Sequence, residues 1–223
     1  MEPSYGASDH YLSEKGEQYF QYQNKGMQTG RIESRKFAHL IKPSDCVLDF
    51  GCGNGSLLLQ LNCAKRIGID INPHARDYCL KQGIQAFATL HQVDSESVDI
   101  IISNHALEHI PTPLGALQEM RRPLLAGGRL FLCLPYDDWR SGQRRYRPGD
   151  INRHFYTWTP QLIGNLLEEA GFQVAHASVY THAWPPRWQW LDEHLPLALF
   201  DLVCRYYAWK VNRRQVFVEA FKA

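Results

Sequence analysis

The chain has no apolar run approaching the ~20 residues that a helix needs to cross a bilayer, so no membrane span is expected. The stretch from Met1 to Gly26 is polar and aromatic, without the apolar segment of a secretory leader, which points to a cytoplasmic protein. Charge of one sign is also missing: 24 Lys and Arg against 23 Asp and Glu leave a net charge of +1, which argues against a protein that coats nucleic acid. Six cysteines stand at 46, 52, 63, 79, 133 and 204 with no C-x-x-C spacing. Several fall in predicted strands or helices, where a thiol acts as a small hydrophobe, so reduced side chains with no disulfide frame and no metal site are expected. What is present, 44% hydrophobic and 21% charged residues over 223 positions, suits one globular domain with a substantial core.

The chain is organised around Cys46 to Gly55. An apolar run, Cys46-Val47-Leu48-Asp49-Phe50, ends in Gly51-Cys52-Gly53-Asn54-Gly55, and a short apolar helix is predicted from Ser56 to Leu61. Glycines let the backbone take positive φ and approach a ligand closely, while a helix start offers free N–H groups. Ser56 stands where the dinucleotide fingerprint G-x-G-x-x-G needs its third glycine. A second acid, Asp70, closes the next apolar run nineteen residues after Gly51, where a carboxylate can accept both hydroxyls of a ribose.

The rest alternates strands and helices. Residues 9 to 41 read as two helical stretches broken near Lys25-Gly26, with Arg31, Arg35 and Lys36 among the apolar positions of the second. Asn72-Pro73 starts a helix ending near Gly83, and a short strand follows from Ile84 to Phe87. Val98 to Ser103 is a buried strand with Asn104 at its tip. Thr112-Pro113 opens a helix, Gly127-Gly128 turns into a strand from Arg129 to Leu134, and Thr159-Pro160 begins a helix stopped by Gly171. Strands are predicted from Phe172 to Val179 and from Gln215 to Phe221. This alternation gives a parallel, doubly wound sheet, whose ligands collect beyond the carboxyl ends of the strands.

Residues 47 to 55 with Asp70, the stretch from Ser97 to Asn104, Leu107-Glu108-His109, Leu125 to Leu130, Phe155 to Pro160 and Glu169 to Phe172 resemble class I S-adenosylmethionine-dependent methyltransferases, over about residues 36 to 180. The similarity is to the small-molecule, type 11/12-like branch. It implies a Rossmann-like, seven-stranded, mostly parallel sheet with the last two strands antiparallel. One domain is then expected: an N-terminal helical cap (1–41), a cofactor-binding core (42–181), an aromatic-rich helical insertion (182–213) and a last strand (214–223). It implies S-adenosylmethionine as cofactor. Asp49 would support the turn and the methionine amino end, with Gly51, Cys52 and Gly53 beside it. Asp70 and Ile71 would hold the ribose, and Asn104 would lie near the adenine or the methionine. Arg31 or Arg35 could meet the methionine carboxylate. The acid that often reads adenine after the third strand is replaced by Ala88-Thr89-Leu90, which leaves that contact to backbone groups or a nearby polar side chain.

On the acceptor side, Ser103-Asn104-His105-Ala106 lacks the Pro-Pro-aromatic motif of base N-methylators, which disfavours nucleic acid. A small molecule, or a sugar- or lipid-linked intermediate, is expected instead. The stretch from Asp137 to Arg147 has four arginines suited to a phosphate or carboxylate, so the acceptor can be anionic. His154 is the first choice for a proton acceptor and His105 the second. His105-Ala106-Leu107-Glu108-His109 also spells the inverted zinc-protease motif, but Pro111 leaves no room for the long helix that motif needs. The tryptophans and tyrosines of 182–213 fit a lid, a homodimer contact or a helix lying on a membrane, with lid or dimer preferred. Two rival functions share this general fold: an NAD-type oxidoreductase, and a cofactor-binding protein without turnover.

Overall fold

The computed structural model describes residues 6, 9–24, 30–136, 145–146, 148–186, 188 and 190–223. The break near Lys25-Gly26 and most of the arginine-rich stretch from 137 to 147 lie outside the described residues. Seven strands form one sheet: β1 (Cys46–Phe50), β2 (Lys65–Ile69), β3 (Gln85–Phe87), β4 (Val98–Asn104), β5 (Leu124–Pro135), β6 (Phe172–Tyr180) and β7 (Gln215–Lys222). Their order is β3-β2-β1-β4-β5-β7-β6, parallel except that β7 runs antiparallel to both β5 and β6. The resemblance led us to expect this sheet with its antiparallel last pair.

Among the described residues seven α-helices are present: α1 (Ser13–Asn24), α2 (Gly30–Ala38), α3 (Pro73–Lys81), α4 (Pro113–Met120), α5 (Pro160–Glu169), α6 (Leu191–His194) and α7 (Leu197–Lys210). The central strands carry apolar residues without alternation because both faces are covered. Successive side chains point to opposite faces. Val47, Ile100, Ile102, Phe131 and Cys133 therefore join Phe37 of α2 and Cys79 of α3 on one side. Leu48, Ile101, Leu130 and Leu132 meet Leu117 of α4 and Leu167 of α5 on the other.

Local signals set several helix starts. Asn72 accepts from the His74 amide and Thr159 from the Leu162 amide, and a proline follows each as the first helical residue. Thr112 precedes Pro113 without a side-chain cap bond. Two expectations are corrected. The predicted helix from Ser56 to Leu61 is only a 3-10 turn at Leu58–Gln60, because its leucines sink under α2. There Gly30 packs so tightly that a Cβ would lie 2.5 Å from the Ser56 carbonyl oxygen. β5 begins at Leu124, ahead of Gly127-Gly128, and those glycines form a bulge opposite β4 (Val98 pairs with Leu124, Ile100 with Arg129). The insertion carries two helices, α6 and α7, separated at Leu195-Pro196.

The cap and the insertion are tied to the core at defined points. Asn72 Nδ2 donates to the Gly16 carbonyl at 2.8 Å, fixing α1 over the tip of β2. Arg31 reaches the buried Asp192 carboxylate at 2.5 Å and Arg35 pairs with the same group, so α2 anchors α6. Ile32, Phe200 and Cys204 form a small core beneath this ion pair. All six cysteines are free thiols, and among the described residues no helix is long and apolar enough to cross a membrane.

Candidate cofactor and acceptor site

The glycine turn leaves β1 at Gly51, with φ +80°, where a Cβ would lie 2.3 Å from the Ala106 Cβ; only glycine fits. Asp70, at the end of β2, accepts from the Gly53 amide at 2.9 Å and the Asn72 amide at 2.8 Å, so its carboxylate braces the turn from the side. Asp49 is 3% exposed and its Oδ1 has no hydrogen-bond partner. Burial, and then the charge of Asp70, push its pKa up to about 8. Burial also raises Asp70, against the pull of the Asn72 and Gly53 amides. Two neighbouring carboxyls with so little compensation suit a guest that brings a positive charge and sugar hydroxyls. S-adenosylmethionine has both, and the residues present fit it.

Phe50, Gly51, Ile69, Asp70, Ile71 and Asn72 form the sheet-edge wall of this cavity, and Tyr11, Tyr19 and Gln23 cover it from the N-terminal segment. The space left is about 80 Å³, against the roughly 300–1,000 Å³ typical of ligand pockets. α1 must therefore yield as a cofactor enters. Cys52 does not line the cavity. Its thiol turns inward, 3.9 Å from that of Cys79, and Gly68 is required beside it because a Cβ there would lie 2.6 Å from the Cys52 sulfur. The Ala88 and Thr89 amides, backbone groups left to read adenine, are both taken up by Gln92 Oε1.

A second, larger cavity of about 450 Å³ opens beyond β4, β5 and β7. Tyr22, Tyr136, His154, Thr157, Trp184, Arg213 and Arg214 are among its walls. Arg214 stacks 4.7 Å over the Tyr136 ring, and its Nε is buried without a hydrogen-bond partner. Among the described residues that line it, Arg213 and Arg214 stand with one carboxylate, Glu33, which is already paired with Lys36 at 2.5 Å, so the described wall carries an excess of positive charge.

His105 lines both cavities. It follows β4 in a left-handed conformation, φ +55°. Its Nε2 meets Gln215 Oε1 at 2.9 Å and its Nδ1 meets Glu108 Oε1 at 3.3 Å. Gln215 donates its own amide hydrogen to the His182 carbonyl at 2.7 Å, which turns Oε1 toward His105. With an acceptor at each nitrogen, His105 is an imidazolium. Removal from bulk water opposes that charge, but Cys133 and Glu108 outweigh it and raise the pKa to about 10. This surrounding favours the protonated ring, which weighs against His105 as the proton acceptor.

Asn104 is held just as firmly. It accepts from Lys36 at 3.1 Å and donates to Glu33 at 3.0 Å, so its amide locks α2 to the tip of β4 and lines neither cavity. Arg31 and Arg35, candidates for the methionine carboxylate, pair with Asp192 instead. The inverted zinc motif does not form as spelled, because residues 107–109 make a single 3-10 turn and His105 turns toward Gln215. His109 Nδ1 meets the Tyr11 hydroxyl at 2.8 Å, and its ring packs edge-on against His154 at 4.7 Å. The wall-forming Tyr11, Tyr19, Gln23 and Gln215 were not singled out as ligand contacts. The signal available was Tyr19 and Tyr22 standing one turn apart in a helix otherwise polar.

The model of the methyltransferase-domain family matches residues 10–177 of this chain. A curated relative, the ribosomal protein L11 methyltransferase of Cupriavidus necator, is 28% identical over 147 residues, which is 62% of this chain and 44% of the relative. The chain spans less than half the length of such curated relatives. The crystal structure of an S-adenosylmethionine-dependent methyltransferase from Archaeoglobus fulgidus superposes with a TM-score of 0.63 at 16% identity, covering 92% of this chain and 99% of that one. Haemonchus contortus phosphoethanolamine N-methyltransferase 2, solved with S-adenosylmethionine, gives 0.59 at 14% identity over 86% of this chain and 52% of its own. At such identities these two structures speak for the fold, while the match of the family model over most of the chain speaks for descent. The chain belongs to the methyltransferase-domain family.

Proposed function

We propose that the protein methylates an O, N or C atom of an anionic small molecule, or of a sugar- or lipid-linked intermediate. The observation behind this reading is that the arginine-lined cavity and the cofactor cavity share one wall residue, His105. Bound S-adenosylmethionine supplies a methyl already activated by its sulfonium. In this reading Asp49 and the Gly51–Gly53 backbone hold the methionine end, while Asp70 with Ile71 holds the ribose. Asn104 acts indirectly, by fixing α2 against the strand tip. Arg213 and Arg214 draw in the acceptor's negative charge. Alignment of donor and acceptor across the shared wall can supply about 7–11 kcal/mol. His154, on the acceptor wall, takes the proton from an O–H or N–H acceptor, worth about 10²–10⁴-fold. His105, a fixed cation, offsets negative charge on the acceptor.

The curated relatives are named for a ribosomal protein, whereas the walled cavity beside Trp184 supports a smaller acceptor here. A second copy of the chain is a candidate partner, through the exposed Leu202, Tyr206 and Trp209 on α7. Six free thiols suit the reducing cytoplasm. The test is to incubate the purified protein and methyl-labelled cofactor with a cell extract. An acidic metabolite heavier by one methylene is expected. Label found only on protein or nucleic acid would overturn the acceptor class.

A further inference from the structure

Glu108, His109 and His154 bring one carboxylate oxygen and two imidazole nitrogens within 4.8 Å of one another. The backbone holds them together: the Phe155 amide donates to the Glu108 carbonyl at 2.8 Å, which lays the 154–155 segment on the turn after β4. Glu108 is fully buried, and its Oε2 has no hydrogen-bond partner. A charged oxygen in that position costs several kcal/mol unless a cation meets it. Its other oxygen already meets His105 Nδ1 at 3.3 Å, so Oε2 is the atom left without a partner.

We propose that these three side chains bind one divalent transition-metal ion. Two imidazoles and one carboxylate are the donor set that suits zinc, manganese, iron or cobalt rather than magnesium or calcium. Each of the two residues on the turn also has the outer partner that metal ligands use to fix their orientation. The Tyr11 hydroxyl meets His109 Nδ1 at 2.8 Å, and His105 Nδ1 meets Glu108 Oε1 at 3.3 Å. The zinc motif read along the sequence paired His105 with His109. In the fold His105 supports the site from behind, and its place as a ligand passes to His154.

The position gives the ion its use, and this part rests on the function proposed above. His109 stands on the cofactor wall and His154 on the acceptor wall. Three protein ligands leave coordination positions open, so an acceptor oxygen bound there would face the methyl and be acidified by the metal. With the ion in place, His154 serves as ligand and the metal replaces it in lowering the acceptor's proton affinity.

Binding can be read without cofactor or acceptor. Protein stripped with a chelator and dialysed is titrated calorimetrically with Zn²⁺ and Mn²⁺, and with Co²⁺ while the visible spectrum is followed. One ion per chain is expected, with affinity reduced by at least about 10–100-fold in Glu108→Gln and in His154→Ala, the range seen for outer-shell partners alone. His39→Ala, at an exposed histidine elsewhere, should bind like the parent. Should Glu108→Gln fail to fold, His154→Ala decides, because that side chain borders a cavity. Absence of saturable uptake by the parent protein, or equal uptake by the parent and the His154 variant, would overturn the site. S-adenosylhomocysteine titrated into the same samples reports on the cofactor reading separately.

Discussion

In the proposed reading, Asp49 couples cofactor binding to proton release. The folded protein holds its proton up to about pH 8, while the unfolded chain releases it in the ordinary carboxylate range. Between those values the folded state binds more protons, so the stability of the cofactor-free protein should fall as pH rises toward 8 and level off above it. A cationic guest reverses the balance by drawing Asp49 into its charged form. Cofactor binding at pH 7 should then release about one proton, seen as a binding enthalpy that changes with the buffer's ionisation enthalpy. A buffer-independent enthalpy would rule out this role for Asp49. His105 adds a higher window: its pKa is raised, so its contribution is complete below the ordinary histidine range and is lost as pH passes through about 10. Asp70→Ala should weaken S-adenosylhomocysteine binding about ten- to a hundredfold, since each charge-assisted bond contributes about 1.5–3 kcal/mol. An unchanged calorimetric affinity would refute the ribose contact. His154→Gln should lower turnover by about 10²–10⁴-fold while leaving cofactor affinity intact. Equal losses in both would make it a packing residue.

At the scale of elements, α2 is the joint between cap, core and insertion. Its Lys36 and Glu33 grip Asn104 at the end of β4, while Arg31 and Arg35 grip Asp192 of α6. Replacing both arginines by alanine strands a buried carboxylate, a change of about 3–5 kcal/mol for such pairs. Hydrogen exchange should then accelerate across residues 190–210 before it does so in the sheet; uniform acceleration would contradict this local tie. Gly30→Ala attacks the other end of α2, where the added carbon meets the Ser56 backbone, and should destabilise by about 1–3 kcal/mol, read in urea unfolding. None of these ties was legible from periodicity. The apolar positions of α2 were, because a helix spaces its buried face regularly. The arginines fell between those positions and looked equally suited to a ligand or to solvent, and only the partner 157 residues further along the chain from Arg35 decided between an ion pair and a cofactor contact.

For the molecule as a whole, the two cavities meet at His105, the smaller one covered by the N-terminal segment and the larger one walled by the insertion; in the proposed reading the first takes the cofactor and α1 yields to admit it. Cofactor binding should therefore change the exchange or proteolytic protection of residues 13–24, and a cofactor complex with unaltered protection there would argue that α1 is a fixed wall. The sequence by itself located the glycine turn and its two acids. The glycine turn, Asp49 and Asp70 lie within 22 residues of one another, and their roles follow from backbone geometry that short-range sequence dictates. The alternation of strand and helix fixed the sheet edge on which they meet. Tertiary structure alone decided the acceptor half. His105, His109, His154, Gln215 and Arg214 are scattered over 111 positions of the chain, and whether each is a base, a cation, a ligand or a brace depends on which partner the fold sets against it. A histidine between two acceptors is charged and a histidine beside a hydroxyl is free to exchange its proton, and no local pattern of residues records that difference.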